Sequence, residues 1–332
     1  MKEIHDKKPH STNRRRMRAM LIFNPSAGAT RGSPIELVDV IHEMQACKLV
    51  PETFLVEPGC NLPGAVEDAL GRGVRLFVVC GGDGTISAAA RILAGTRGTL
   101  GIIPSGTQNN TALSLGIPAD VRAAIAILRT GRRIKVDVGM ATCGNMNTPF
   151  LEVCSVGLVS TLFPSADDVQ HGNLVRAGDF LAALVSFPPA EIHLVLDDKQ
   201  EVRNLGYVVL VSNMPYIGLH YQVGSAASFN DGLLDVLFFA NLSKLDLLSY
   251  VFQGVGTDKS EDPRIEHYHV RRVDINTEPA MPIMADGNAL GEGRVRIEVR
   301  RRVLAVMVGQ PASEALASPS EILEAQTHAA GG

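Results

Sequence analysis

The chain has 332 residues, of which 45% are hydrophobic and 20% are charged, and its formal net charge at pH 7 is −4. This length is too great for one comfortable hydrophobic core and predicts two domains, while the weakly acidic balance gives no general case for binding nucleic acid. No apolar run is long enough to span a bilayer, the N-terminus has no secretory hydrophobic region, and the five cysteines lack paired spacing, so we expect a cytoplasmic protein.

Both ends of the chain are predicted to be disordered tails. Residues 1–17 form a basic tail, and residues 311–332 are rich in Ala, Ser and Pro without a useful apolar periodicity. A basic segment near a bilayer is able to contact anionic lipid, although most such runs are simply solvated.

Residues 18–132 alternate between strand-like and helix-like segments. The predicted strands cover 20–23, 54–56, 76–80 and 100–103, and the predicted helices cover 37–44, 61–70, 85–94, 110–115 and 120–129. This alternation predicts a parallel sheet that is covered by helices on both faces.

The most informative segment is the turn 81–85, Gly-Gly-Asp-Gly-Thr, which lies between the apolar strand 76–80 and a predicted helix. Glycine lets the backbone approach an anion closely, and the N–H groups at the helix N-terminus can bind phosphate. The Asp83 carboxylate would repel a phosphate unless a divalent cation or a hydroxyl mediates, so the turn indicates a nucleotide with a metal ion. Packing alone is the alternative reason for such a turn.

Two further turns follow predicted strands and share this small, amide-rich character. Residues 24–28 read Asn-Pro-Ser-Ala-Gly, and residues 104–110 read Pro-Ser-Gly-Thr-Gln-Asn-Asn. Because the carboxyl ends of parallel strands meet at one edge of a sheet, the three turns are predicted to form one site.

The pattern changes near Arg133, beyond which strand-like segments dominate. They cover 134–141, 149–157, 191–197, 203–212, 233–239 and 266–275, with a hairpin connection at 197–200 and two predicted helices at 175–186 and 242–253. This part is predicted to be an antiparallel β-rich sandwich.

The motifs, taken in order, resemble those of the diacylglycerol kinase catalytic-domain family, which includes bacterial lipid kinases and sphingosine kinases. They are Asn-Pro-x-x-Gly (24–28), Gly-Gly-Asp-Gly-Thr (81–85), Pro-x-Gly-Thr-x-Asn (104–109), Asn-Asp-Gly-Leu-Leu-Asp (230–235) and Asp-Gly (286–287). The resemblance covers the chain from about Arg18 to Gln310. It implies an α/β N-terminal domain with a parallel sheet, similar to NAD kinase and phosphofructokinase, and a β-rich sandwich domain. The nucleotide-binding domain would comprise 18–132 plus 293–310, and the lipid-binding domain would comprise 133–292.

The resemblance also implies which residues bind the nucleotide. They are Asn24, Pro25, Ser26, Gly28, Gly81, Gly82, Asp83, Gly84, Thr85, Gly106, Thr107 and Asn109. Hydroxyl and amide groups suit this role because they bind phosphate without a costly charge, although Thr85 and Asn109 are equally expected as helix caps.

The catalytic residues implied by the resemblance are Asp83 and Asp286. The family places Asp-Gly-Glu at 286–288 and uses this acidic motif as the base for the lipid hydroxyl, whereas this chain has Asn288 in the last position. Asn110 likewise stands where bacterial members often carry aspartate. A plain turn is the alternative explanation of the Asp-Gly pair.

Two further acidic positions match the family. Asp137 is expected to belong to an acidic network between the domains. Asp231, together with the backbone carbonyls of Ser228 and Leu233, resembles an accessory magnesium site, and oxygen-only ligation suits such a hard cation. A β-turn explains the Asp231 segment almost equally well.

His267 and His269 share one face of a predicted strand. No cysteine or carboxylate stands at metal-ligand spacing from them, so we expect surface or packing roles.

The leading functional hypothesis is a lipid kinase that uses ATP and Mg²⁺ to phosphorylate a lipid hydroxyl in the cleft between the domains. Its substrate would be diacylglycerol, a long-chain base or a related lipid, and it would contact the inner face of a membrane peripherally, with no nucleic-acid partner and with a homodimer left open. The alternatives are NAD kinase, which shares Gly-Gly-Asp-Gly-Thr, and a nucleotide-binding pseudokinase with a regulatory role, which Asn110 and Asn288 motivate.

Overall fold

The computed structural model describes residues 16–28, 35–162, 187–217, 221–223, 228–244, 246 and 264–310. The predicted helix 175–186, most of the predicted helix 242–253, the tail 311–332 and residues 1–15 lie outside the described residues. The predicted N-terminal tail is slightly too long, because Met17 already belongs to the first strand.

The N-terminal half forms a parallel sheet covered on both faces, as predicted. Its strands are β1 (Met17–Phe23), β2 (Leu49–Leu55), β3 (Leu76–Gly81) and β4 (Thr99–Pro104), in the order β2-β1-β3-β4. Its helices are α1 (Leu37–Ala46), α2 (Leu62–Gly71), α3 (Asp83–Leu93), α4 (Asn110–Ser114) and α5 (Val121–Thr130).

Strand β3 shows why this sheet needs helices on both sides. Successive side chains of a strand point to opposite faces. Phe77 and Val79 are buried in the core on one face, and Val78 and Cys80 are buried in the core on the other. A continuous apolar run therefore becomes a central strand with no solvent-facing side.

The C-terminal half is antiparallel and β-rich, and it encloses its own core, as the predicted sandwich requires. Its elements are β5 (Arg132–Cys143), β6 (Met146–Phe150), β7 (Val153–Gly157), α6 (Leu158–Leu162), β8 (Ala190–Leu196), β9 (Gln200–Ser212), β10 (Tyr216–Ile217), β11 (Tyr221–Gln222), β12 (Leu234–Ala240), β13 (Ile265–Val270), β14 (Arg272–Glu278), β15 (Pro282–Ala285), β16 (Asn288–Glu292) and β17 (Val295–Val308). Phe150 of β6 and Phe238 of β12 are fully buried in this core.

Strand β17 joins the two halves. Its first part pairs antiparallel with β14, its last part pairs parallel with β4, and β5 runs alongside most of its length. In the part of the chain that the structure describes, fifteen strands therefore form one hydrogen-bonded sheet. Because β5 and β17 each extend through both halves, the boundaries at 132 and 293 stay predictions.

Two long predicted strands are wrong, and both errors lie where the chain bends. The segment 149–157 divides into β6 and β7, with Leu151 and Glu152 between them, and the segment 266–275 divides into β13 and β14 at Arg271. The predicted hairpin connection at 197–200 is confirmed, since Leu196 pairs with Gln200.

Strand β12 pairs antiparallel with β13 and places Asp235 against His267 and His269. The expectation that these histidines have no carboxylate partner is therefore wrong. The partner comes from a neighbouring strand, so sequence spacing did not reveal it.

None of the helices in the described ranges has both the length and the apolar character needed to span a membrane.

Candidate active site

Three turns meet at the carboxyl edge of the parallel sheet, and we call them the phosphate loops: residues 24–28, 81–85 and 104–109. The side chain of Asn24 links the first two, because its Nδ2 donates a hydrogen bond to Thr85 Oγ1 at 2.8 Å. The second and third approach backbone to backbone. A Cβ added at Gly82 would lie 3.1 Å from the Cα of Gly106, and a Cβ added at Gly106 would overlap the Cα of Gly82. Only glycine permits this approach.

The second phosphate loop opens helix α3. Gly82 is its N-cap and provides no side-chain acceptor for the first N–H groups of the helix. Gly84 is exposed, and a Cβ added there would meet no atom within 4 Å. Unsatisfied N–H groups beside open space are what an anion requires at a helix N-terminus.

Asn109 stabilises the third phosphate loop rather than capping a helix with its side chain. Its backbone is left-handed, with φ of 57°, and its side-chain amide exchanges two hydrogen bonds with the backbone of Gly106, each of 2.9 Å. Thr107 beside it is exposed, as are Pro25 and Ser26 of the first loop. These exposed residues line the open side of the loops.

The two remaining nucleotide-site predictions concern glycines. Gly81 is buried, and a Cβ added there would lie 2.8 Å from Cβ of Thr85. Gly28 has a positive φ of 71°, which ends the first loop in a conformation that favours glycine.

Asp83 points from α3 to the start of α4. Its two carboxylate oxygens accept hydrogen bonds from the backbone N–H groups of Asn110 at 3.1 Å and Thr111 at 3.0 Å. The carboxylate therefore binds the second phosphate loop to the start of the helix that follows the third, a role that sequence reasoning did not anticipate. Its catalytic role stays a prediction.

Asp286 occupies a two-residue hairpin turn between β15 and β16. Asp286 and Gly287 both have positive φ, of 42° and 77°, which is the conformation of a type I′ turn. The Asp-Gly pair therefore forms a turn, as its alternative explanation expected. The carboxylate has a second role as well.

The Asp286 carboxylate collects four hydrogen bonds from distant parts of the chain. Backbone N–H groups of Leu151, Glu152 and Val153 donate to it at 2.6, 3.0 and 3.0 Å, and the Ser87 hydroxyl of α3 donates to Oδ2. Burial raises the pKa of the Asp286 carboxyl above its ordinary value, and these hydrogen bonds act in the opposite direction. The bend between β6 and β7 aims all three backbone donors at one carboxylate.

Asn288 stabilises the turn at Asp286 and Gly287 through its side-chain amide. Its side-chain amide donates to the backbone carbonyls of Ala285 at 3.2 Å and Asp286 at 3.0 Å. A glutamate, which the family pattern has here, carries no N–H to make these bonds at neutral pH. The departure from the family pattern therefore exchanges a carboxylate for a turn-stabilising amide.

Sequence reasoning missed Glu152, which lies at the bend. It is 9% exposed, its Oε1 accepts a hydrogen bond from Thr111 Oγ1 at 3.0 Å, and it shares a hydrogen bond with Asp83. Burial, followed by the negative charges of Asp83 and Asp286, raises the pKa of the Glu152 carboxyl well above its ordinary value. The available signal was a single charged residue inside the apolar run 150–154.

We call Asp83, Glu152 and Asp286 the carboxylate cluster. Ser87 and Arg91 of α3 were also missed, and they lie beside this cluster on the same helix as Asp83. Ser87 lies one helical turn after Asp83, and Arg91 lies one turn further on. Arg91 Nη1 is 3.4 Å from Ser87 Oγ, and burial lowers the pKa of the Arg91 guanidinium while the nearby Asp286 charge opposes that shift.

The cluster suits a hard divalent cation in its chemistry, because its donors are oxygens. Asp83 receives two backbone hydrogen bonds and one shared with Glu152. A carboxylate has about four acceptor positions, so one remains for a further ligand.

Asp137 lies in the β-rich half and connects three segments. Its carboxylate accepts hydrogen bonds from the backbone N–H groups of Gly232 at 2.7 Å and Arg302 at 2.6 Å, and its own N–H donates to Phe229. These donors belong to the backbone, so the predicted acidic network stays a prediction.

Asp231 lies in a turn, which was the alternative explanation of this segment. Its Oδ1 accepts the N–H of Leu233 at 2.9 Å, and the Ser228 hydroxyl bonds to Asn230 at 3.1 Å. The neighbouring Gly232 is the residue bound by Asp137. The accessory magnesium site stays a prediction.

Two family models match the two halves of the chain. Residues 18–141 match the family described as the diacylglycerol kinase catalytic domain, and residues 164–308 match the YegS C-terminal NAD kinase beta sandwich-like domain. The chain is 31% identical over 229 residues to a diacylglycerol kinase of Mycobacterium tuberculosis, covering 66% of this chain and 72% of that one. It is 25% identical over 277 residues to a diacylglycerol kinase of Bacillus subtilis, covering 81% and 89%.

The fold is also similar to a crystal structure of a diacylglycerol kinase from Bacillus anthracis. The TM-score is 0.68 at 21% identity, and the match covers 89% of this chain and 97% of that one.

Proposed function

Because the chain belongs to the diacylglycerol kinase catalytic-domain family, we propose that it transfers the terminal phosphoryl group of ATP to a lipid hydroxyl. The reaction would depend on Mg²⁺ and would take place in the cleft between the two halves. Diacylglycerol, a long-chain base and related lipid alcohols are the candidate substrates.

The observation that carries this proposal is the position of Asp286. Its carboxylate is bound to Ser87 of the helix that the second phosphate loop opens, and to the backbone of 151–153 in the β-rich half. A candidate base is thereby held by both halves, one turn beyond the N-terminus of the helix that would bind phosphate. Phosphoryl transfer requires mainly this kind of positioning.

The phosphate loops would hold the nucleotide through backbone N–H groups and the side chains of Asn24 and Thr85. Mg²⁺, when bound, neutralises phosphate charge, and the remaining acceptor position of Asp83 is where this chain would contribute to holding it. The loops are stiffened beforehand by the Gly82–Gly106 contact and the Asp83 hydrogen bonds.

Once the Ser87 hydroxyl gives up its hydrogen bond to Oδ2, Asp286 would accept the proton of the lipid hydroxyl at that position. The hydroxyl oxygen forms a bond to the phosphorus as the bond from that phosphorus to ADP breaks. The raised pKa of Asp286 favours this role, because a more basic carboxylate accepts a proton more readily. Glu152, protonated and bonded to Asp83, keeps a third negative charge out of the site.

We also propose peripheral contact with an anionic membrane. Residues 2–18 contain seven Lys and Arg residues against one Glu and one Asp, namely Lys2, Lys7, Lys8, Arg14, Arg15, Arg16 and Arg18 against Glu3 and Asp6. We expect the protein to sediment with anionic vesicles and to be released by salt. Sedimentation that ignores both lipid charge and salt would contradict this contact.

The deciding experiment offers labelled ATP and Mg²⁺ to the purified full chain, with a panel of lipid alcohols and with NAD in a separate arm. We expect label in one or more lipids and none in NAD. Label in NAD alone would make the protein a NAD kinase, and ATP binding without label in any acceptor would make it a pseudokinase.

A further inference from the structure

A second cluster of ligand-type side chains lies on the neighbouring strands β12 and β13. His267 and His269 are two residues apart, so their side chains leave β13 on the same face. Asp235 of β12 stands directly opposite His269, and Leu237, two residues further along β12, stands opposite His267. The register therefore gathers two imidazoles and one carboxylate at one point of the sheet.

The side chains converge on a single atom. His267 Nε2 is 2.8 Å and His269 Nε2 is 3.1 Å from the same Oδ1 of Asp235, and the two imidazole rings are 4.5 Å apart between centroids. All three ligand atoms lie within 4.8 Å of one another. Ligands about 2.0–2.1 Å from a zinc ion in tetrahedral geometry would be roughly 3.3–3.4 Å apart, so a slight opening of the cluster would admit an ion.

The three side chains become progressively more exposed to solvent from Asp235 to His269. The side chain of Asp235 is 6% exposed, that of His267 20% and that of His269 42%. A carboxylate at the base, fixed by its strand, and an exposed imidazole at the rim give an ion an entry path. By contrast, His193 pairs with the single carboxylate of Glu201, whose side chain is 61% exposed.

We propose that Asp235, His267 and His269 form a binding site for a divalent transition-metal ion of the zinc class. Imidazole nitrogen with one carboxylate oxygen selects such ions, whereas Mg²⁺ prefers oxygen ligands throughout. Three protein ligands leave a coordination position open to water or another group.

The site is separate from the carboxylate cluster. Asp235 pairs with Ser212, Ser212 pairs with Val153, and Val153 accepts the N–H of Asp286. These three steps across the sheet, each about 4.8 Å, separate Asp235 from Asp286 by roughly 14 Å. In the pairings of the described residues, β13 has β12 as its single neighbour, so the ion would clamp this strand to the sheet.

The test uses the purified full chain after removal of metal by a chelator. Calorimetric titration with Zn²⁺ should show one tight site, Co²⁺ should produce visible d–d absorption, and the melting temperature should rise with zinc concentration as mass action requires. Mg²⁺ in excess should not displace Zn²⁺ or Co²⁺ from this site. Because none of the readouts involves phosphoryl transfer, their outcome is independent of the proposed kinase function.

Three variants decide the assignment. His269→Ala and Asp235→Asn should each weaken zinc affinity at least about tenfold, the lower end of what losing even an outer partner of a metal site costs. His193→Ala, the matched control, should leave the affinity unchanged. If Asp235→Asn does not fold, His269→Ala still decides, because that side chain is substantially exposed. No saturable zinc binding, or equal affinity in wild type and His269→Ala, would overturn the proposal.

Discussion

The phosphate loops and the carboxylate cluster share Asp83, the first residue of helix α3, yet they are built in different ways. Each phosphate loop is a contiguous motif that follows its own strand, and its contacts are mostly local or between backbones. The carboxylate cluster instead gathers residues from positions 83, 152 and 286, and it depends on a bend and a hairpin turn that face each other.

This difference separates two kinds of function. A phosphate needs N–H groups and space, which a glycine-rich turn provides wherever the sheet places it. A base needs a particular environment, because burial, neighbouring charge and hydrogen bonds together determine its pKa. A contiguous motif therefore suffices to bind phosphate, whereas the environment of a base must be built by residues from distant parts of the chain.

The largest expected effect is on Asp286. Asp286→Asn should lower the rate of lipid phosphorylation by about 10²–10⁴-fold, or roughly 3–5 kcal/mol, because it removes the proposed proton acceptor. ATP affinity should change little, since the phosphate loops are untouched. Single-turnover rates and equilibrium ATP binding measure the two quantities.

Asp197→Asn is the matched control for this substitution. Asp197 also has positive φ in a hairpin turn, and its carboxylate also accepts backbone N–H groups, those of Arg271 and Arg272 at 2.9 Å. Equal losses of activity in both variants would mean that turn stability, not proton transfer, explains the effect.

Gly106→Ala addresses the phosphate loops and should have the next largest effect. The added methyl group would overlap the backbone of Gly82, so the second and third loops must separate. Forcing an extra methyl into a packed site costs typically about 1–3 kcal/mol, and ATP affinity should fall with stability. Gly84→Ala, which adds a methyl where no atom lies within 4 Å, is the control for folding. Unchanged ATP affinity in Gly106→Ala would mean that the close approach of Gly82 and Gly106 does not contribute to nucleotide binding.

Glu152→Gln tests the electrostatics of the carboxylate cluster. The pKa of Glu152 is raised on folding, so the folded state binds more protons than the unfolded state between the ordinary and the raised pKa. The free energy of unfolding contributed by Glu152 is therefore full at low pH and lost as pH rises through the raised pKa. Glutamine cannot ionise but can still donate to Asp83, so the variant should gain stability over wild type as pH increases.

Urea unfolding at a series of pH values measures this difference. Parallel stability curves for wild type and Glu152→Gln would mean that Glu152 does not carry a proton in the folded protein. Glu57→Gln is a suitable control, because Glu57 is exposed beyond β2.

The smallest expected effect concerns Asn288. Asn288→Ala removes two hydrogen bonds to the turn, each typically worth about 0.5–1.5 kcal/mol, and should lower the melting temperature modestly with a smaller loss of activity than Asp286→Asn. Asn288→Glu would place a carboxylate beside two carbonyl oxygens, so we expect no gain of activity. Activity that appears only in Asn288→Glu would identify the natural chain as a pseudokinase.

Most of the fold was predictable because its signals are local. The apolar runs of β3 and β4 indicated central parallel strands, and the turns after them indicated helix starts. The predicted single strand at 149–157 was wrong because the end of β6 and the start of β7 are both apolar, and the bend between them is stabilised by Asp286, more than 130 residues later in the chain.

By itself, the sequence determined the order of elements, the parallel sheet, the β-rich second half and the family, because periodicity and contiguous motifs record contacts between near neighbours. Only the tertiary structure decided that Glu152 joins Asp83 and Asp286, that Ser87 reaches Asp286, and that Asp235 meets two histidines. These contacts depend on strand register and on a bend, and neither is encoded by the spacing of residues along one segment.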